Sequence, residues 1–356
     1  MIPQLPHASH YMQLPREVLI GRDVASLVGE TLNRLGFHGT ALIVTGETVL
    51  SFAGGTVLDS LKKVNIGTET MTVQSSTTEE VARVEKKIQE MNPDIVVGFG
   101  GGKDIDVAKL GSMKAGKSFL SVPTTASHDG IASPLVSMKG LDRPYSYVAH
   151  APIAIVADTS IIGKSPYRLI AAGCGDVVAK YTAVRDWKLA HRIKNEYYGD
   201  YAAELALMSS RVVMKNATSI RAMIDNGVRT LVEALISCGV AMSIAGSSRP
   251  CSGAEHLFSH ALDIVAGETS LHGGRTGVGA IMCSYLQDSN WEAIREFLQE
   301  IGAPSTAKEL KVSPEQVVKA LTMAHSLRPE RYTILGETGV TEAAAEKVAR
   351  ATGVIG

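Results

Sequence analysis

Six short apolar or β-branched runs punctuate the first 160 positions, and stretches with helical spacing separate several of them. The runs are REVLIG at 16–21, ALIVT at 41–45, ETMTV at 69–73, DIVVGF at 94–99, KSFLSV at 117–122 and IAIVA at 153–157. Several are apolar at nearly every position rather than at alternate ones, which suits strands covered on both faces. Between them, Val24, Leu27, Val28, Leu32 and Leu35 fall on one helical face. Val81, Val84, Ile88 and Met91 do the same behind Ser76-x-x-Glu79, a capping-box spacing. Strand alternating with helix predicts a mostly parallel, Rossmann-like sheet flanked by helices, an α/β domain over residues 1–160. From about Ser160 the chain is alanine-rich and helical in pattern. Breaks are expected at Gly173, Gly175, Gly199, Gly267 and Gly273, which predicts an all-α domain over 161–356. No internal repeat and no low-complexity segment is evident.

Composition narrows the function classes without naming one. The 356 residues carry 45% hydrophobic and 20% charged side chains and a formal net charge of -1, the balance of an ordinary globular chain of two domains. There is no basic stripe to bind nucleic acid. No apolar run reaches the roughly 18 residues of a spanning helix, so stable membrane insertion is not expected. The start, MIPQLPHASHYMQLPREV, lacks the charged-then-apolar layout of a signal peptide, and a cytoplasmic protein is the expectation. Cys174, Cys238, Cys251 and Cys283 show no Cys-x-x-Cys spacing, so they read as reduced, buried thiols.

Two turns collect candidate chemistry. GFGGGKDID at 98–106 follows the fourth strand and opens a helix. Glycines there let backbone N–H groups approach a phosphate, and the helix N-terminus favours its charge; a plain tight turn is the competing reading. Lys103 is followed by Asp104 and not by Ser or Thr, which argues against an ATPase loop. VPTTASHDG at 122–130 ends the next strand. Thr124, Thr125 and Ser127 can bond a cofactor there and Asp129 a substrate hydroxyl, or the loop can bond only to itself.

The helical half holds one carboxylate and three histidines of interest. GCGD puts Asp176 at an expected helix start, where a cap is the ordinary explanation. SGAEHLFSHALD places His256 and His260 four apart on one helical face, and LHGGRTGVG puts His272 where another helix opens. Carboxylate and imidazole suit Zn²⁺, which needs three protein ligands at a catalytic site. Glu255 precedes His256, so the order is not that of the zinc protease motif.

Taken together and in this order, the five segments resemble the glycerol dehydrogenase, iron-containing alcohol dehydrogenase and dehydroquinate synthase superfamily over nearly the whole chain. The resemblance is strongest to its archaeal branch acting on sn-glycerol 1-phosphate. It implies the dehydroquinate synthase-like two-domain fold, NAD(P) and Zn²⁺ as cofactors, and a homo-oligomer. By position, Asp176, His256 and His272 match the metal ligands, and Asp129, Asp176 and His260 match residues that meet the substrate. Gly102, Lys103, Asp104, Ile105 and Asp106 match the pyrophosphate turn; Thr124, Thr125, Ala126, Ser127 and Ser133 match further cofactor contacts. Lys180 stands where iron-containing members carry a fourth histidine, Asp176 where dehydroquinate synthases carry glutamate, and EHLFSH where glycerol dehydrogenases tend to His-x-x-His.

The implied reaction is zinc-assisted hydride transfer between NAD(P)H and C2 of dihydroxyacetone phosphate, giving sn-glycerol 1-phosphate for archaeal ether phospholipids. Asp129 and His260 are the candidate catalytic groups; His260 or a water carries the proton. Competing readings are a dehydrogenase of free glycerol, a dehydroquinate-synthase-like lyase, and a non-catalytic nucleotide-binding protein. Glu47, after the second strand, is a weak pointer toward a ribose with free hydroxyls.

Overall fold

A computed structural model of the chain describes residues 12–138, 146–267 and 269–356. The N-terminal stretch compared above with a signal peptide lies mostly outside these residues. The strands are β1 (Glu17–Gly21), β2 (Thr40–Thr45), β3 (Gly67–Thr72), β4 (Ile95–Gly100), β5 (Ser118–Pro123), β6 (Leu135–Ser137), β7 (Ser146–Val148) and β8 (Ala154–Asp158). Six of them form one wholly parallel sheet in the order β1-β8-β5-β4-β2-β3. Each predicted run lies in this sheet, and its continuous apolarity has the expected cause. Ala41 and Ile43 of β2 pack in one cluster with Ile95 and Val97 of β4, while Leu42, Val44 and Val96 pack on the opposite face. The chain leaves β2 to one side for β3 and crosses back for β4. The strand order therefore reverses between the carboxyl ends of β2 and β4, the place where open sheets bind ligands.

One strand pair was not foreseen, and several expectations about helix boundaries are corrected. The pair β6 and β7 forms a small antiparallel hairpin outside the main sheet; each strand has three residues, too few for a visible alternation. The helix Thr78–Met91 starts later than the Ser76 spacing implied. Thr77 caps it, accepting from the Glu80 N–H at 3.4 Å, while Ser76 donates to the Ser137 carbonyl at 2.7 Å. Finally, Gly173 and Gly175 do not break a helix. They lie inside Tyr167–Val178, so Asp176 stands near its end and not at its start.

Those two glycines serve close approach. A Cβ on Gly173 would lie 2.0 Å from the Ala126 carbonyl oxygen, and one on Gly175 would lie 2.1 Å from that of Gly273. Any side chain would force apart the three segments that meet there: the turn after β5, the helix Tyr167–Val178 and the helix His272–Leu286. Gly199 and Gly267 do flank helices, as expected; Gly273 falls inside one.

Every described element after β8 is helical. The 21-residue helix Asp225–Ala245 has the length and composition to cross a membrane, although it holds no uninterrupted apolar run of that length. It is instead the central helix of the larger core, with Val228, Leu231, Val232 and Leu235 buried beside Cys174, Trp187 and Ala206. All four cysteines are free and buried, as expected.

Candidate active site

Folding brings Asp176, His256 and His272 together from three helices. One potential ligand atom from each lies within 4.8 Å of the other two, and His256 Nε2 is 3.6 Å from Asp176 Oδ1. A tetrahedral zinc site with bonds of about 2.1 Å separates its donors by roughly 3.4 Å, so this donor set fits the metal. The shell behind it fits as well. His256 Nδ1–H donates to Glu255 Oε1 at 2.8 Å, which leaves Nε2 free to ligate. Glu255 is itself held by Thr182 Oγ1 at 2.9 Å and by the Gly253 N–H at 2.6 Å. His260, one turn beyond His256, faces the same group, its ring centroid 6.1 Å from that of His272.

The charges suit ligation. Burial opposes ionisation of Asp176, but Lys180, then His256 and His272, hold its carboxyl well below the usual range. Burial and the neighbouring His256 push His272 well below its ordinary value, leaving a neutral imidazole. Burial alone would lower His256 too, but Asp176 and Glu255 raise it; a divalent cation at Nε2 would displace that proton. His260 is pushed down to about 3 by burial, then by His256, Arg328, Arg275 and Arg331. It is therefore neutral at physiological pH.

Lys180 is fully buried at the centre of the site. Its ammonium bonds Asp129 Oδ2 and Asp176 Oδ1, each at 2.7 Å. The Asp129 N–H also donates to Asp176 Oδ2 at 2.9 Å. The turn after β5 is thus tied directly to the ligand helix, with the Asp129 carboxylate still partly accessible. In the sequence Lys180 stands out only where a fourth histidine is absent, and Glu255 only as the wrong order for a protease. The adjacency of Glu255 to a ligand histidine was the available signal for its supporting role.

The glycine turn sits where the strand order reverses. Gly46, after β2, lies against it: a Cβ there would be 3.3 Å from Asp104 Oδ1. Gly100 has φ +157° and its Cβ would meet Asp104 Oδ2 at 2.1 Å. Asp104 cannot swing away, because it is buried and accepts the Gly101 N–H at 3.0 Å. Its neighbours have structural surroundings. Ile105 is wholly buried, and Asp106 accepts the Ser137 N–H at 2.9 Å. Lys103 donates to the Val73 carbonyl at 3.1 Å. Thr124 and Ala126 are buried, whereas Thr125 and Ser127 are part-exposed and bonded to each other at 3.4 Å. Ser133 is buried and donates to the Leu135 carbonyl at 3.2 Å. Gly100→Ala is therefore expected to distort the turn and raise the KM for the nucleotide by about tenfold or more, at 1.36 kcal/mol per decade. Steady-state kinetics with varied cofactor check this, and an unchanged KM would refute it.

A family model described as iron-containing alcohol dehydrogenase matches residues 19–166. The glycerol-1-phosphate dehydrogenase [NAD(P)+] of Pyrococcus furiosus is 52% identical over 346 residues, covering 97% of this chain and 100% of that protein. Its counterpart from Methanosarcina barkeri is 50% identical over 349 residues, covering 98% of each. The chain belongs to the glycerol-1-phosphate dehydrogenase family. The fold of this family member is shared more widely. Glycerol dehydrogenase from Schizosaccharomyces pombe superposes with a TM-score of 0.81 at 18% identity, over 97% of this chain and 90% of that one. Sulfoacetaldehyde reductase from Bifidobacterium kashiwanohense, solved with NAD+, gives 0.74 at 15% over 97% and 98%.

Proposed function

We propose that the protein interconverts dihydroxyacetone phosphate and sn-glycerol 1-phosphate with NAD(P)H, and that Asp176, His256 and His272 hold Zn²⁺. The observation that carries this reading is the buried Asp176–His256–His272 group, joined through the Asp129–Asp176 bond to the turn beside the sheet's carboxyl end. When bound, the metal supplies polarisation of the C2 carbonyl and the nicotinamide supplies hydride.

The chain's own residues do the rest. Gly102, Lys103, Asp104, Ile105 and Asp106 form the pyrophosphate turn through backbone and shape, with the side chains of Asp104, Ile105 and Asp106 turned inward. Thr124, Thr125, Ala126, Ser127 and Ser133 line the next turn, where Thr125 and Ser127 have the accessible hydroxyls. Glu255 fixes the ring orientation of His256. Asp129, positioned by Lys180, accepts a substrate hydroxyl. His260, neutral, hydrogen-bonds the substrate and relays the proton that O2 gains during reduction. The same reading includes a homo-oligomeric enzyme of the cytoplasm whose product serves phospholipid synthesis.

A substrate panel tests it. NAD(P)⁺ reduction is expected with sn-glycerol 1-phosphate in preference to its enantiomer and to free glycerol. Preference for free glycerol would replace the reading with a glycerol dehydrogenase. Turnover without net nucleotide reduction would replace it with a lyase.

A further inference from the structure

We propose that Arg331, with Arg328 beside it, is the seat of the substrate's phosphate. The inference rests on the functional reading above and supplies the group that distinguishes a phosphorylated triose from a plain one.

Other arginines around the helix Ala254–Ala266 are neutralised within the protein. Arg249 bonds Glu196 through Nε at 2.6 Å, and Arg275 bonds Asp263 at 3.1 Å. Arg331 differs. Its two hydrogen bonds go to neutral oxygens, Nη1 to the Ser252 carbonyl and Nη2 to Ser248 Oγ, both at 2.7 Å. Among the described residues no carboxylate lies within ion-pair distance of it. A guanidinium has five N–H donors, so most of the fork remains available.

Its surroundings make that arrangement costly without a ligand. Arg331 is pushed down to about 9 by burial and then by the positive charges of Arg328 and Arg249. Glu196 and Glu255 act on it in the opposite sense, but neither lies within ion-pair distance, so the partner that usually compensates desolvation is lacking. An anion supplies it, and two oxygens of a phosphate match the guanidinium fork.

The position is right for the substrate. Ser252 leads into the helix that carries His256 and His260, so Arg331 is anchored where that helix begins. Arg328 ends the helix Pro314–Leu327, which packs along the same element. The positive charges of both arginines, with that of Arg275, contribute to lowering the pKa of His260, on the helix Ala254–Ala266. The helix N-terminus is not itself the anion site. The Gly253 and Ala254 N–H groups are already taken by Glu255 and Asp186, at 2.6 and 2.7 Å.

The test uses the full-length, zinc-loaded protein with inorganic phosphate and dihydroxyacetone phosphate as probes. Arg331→Met is expected to raise the KM for dihydroxyacetone phosphate roughly 10- to 100-fold, the span of a charge-assisted contact. The preference for dihydroxyacetone phosphate over dihydroxyacetone in kcat/KM should fall by a similar factor. Arg331→Lys should recover part of both, since it restores charge without the fork. Competitive inhibition by inorganic phosphate and a phosphate-dependent rise in Tm are expected in the wild type and lost in Arg331→Met. Wild-type KM and wild-type phosphate inhibition in Arg331→Met would overturn the proposal. If Arg331→Met does not fold, Arg328→Met must weaken phosphate inhibition, and full inhibition there overturns the proposal as well. The Tm arm needs no turnover. A wild type that rejects dihydroxyacetone phosphate yet shows an Arg331-dependent phosphate shift would refute the functional reading and leave the anion seat standing.

Discussion

Replacing His272 with alanine is expected to remove the bound divalent metal and to lower kcat/KM by about 10³-fold or more, a loss of ~4 kcal/mol in transition-state stabilisation. Only Asp176 and His256 would remain from the group, and two ligands do not hold zinc where three are the catalytic minimum. His272 opens its helix and is neutral in the folded protein, so its loss leaves no buried charge uncompensated and the fold should survive. Metal content of the purified variant, its Tm and its steady-state rates check the three parts of this expectation. Full activity in a metal-free His272→Ala protein would end the metal reading. Glu255→Gln provides a graded comparison. Loss of the carboxylate behind His256 should weaken metal affinity about 10- to 100-fold.

The second large effect concerns Lys180. Removing its charge in Lys180→Met leaves the carboxylates of Asp129 and Asp176 facing each other with no buried cation between them. Breaking a buried ion pair by deleting one partner costs about 3–5 kcal/mol, and here one ammonium serves two acids. The metal-free variant should therefore lose stability by that order. With zinc bound, Asp176 gains a stronger cationic partner than His256 alone provides, so the deficit should shrink. Denaturant unfolding of wild type and variant, each with and without zinc, measures the difference. Equal losses in both states would show that Lys180 and the metal do not share Asp176.

The two variants probe opposite sides of what sequence makes visible. The parallel sheet was legible because a strand buried on both faces must be apolar along its length, and β2 and β4 are. The pairing of β6 with β7 was not, since three residues carry no period. The candidate metal donors were legible as residue types, because His256 stands on an apolar helical face and His272 opens a helix. Asp176 misled at the local level: glycines beside it suggest a helix start, whereas Gly173 and Gly175 are there to admit the Ala126 and Gly273 carbonyls.

By itself, then, the sequence determined the six strands of the main sheet, the two chemically distinct turns and the residue types of the candidate donors, each read from spacing within its own element, while the grouping of those donors rested on the resemblance. Tertiary structure alone decided what stands next to those donors. The Asp129 N–H reaches Asp176 across 47 residues, and Arg331 anchors on Ser252 across 79. Such contacts leave no periodic trace in the chain. Their partners are chosen by which helices pack together, so the surroundings of Lys180 and Arg331 emerge only when the helices close around the site.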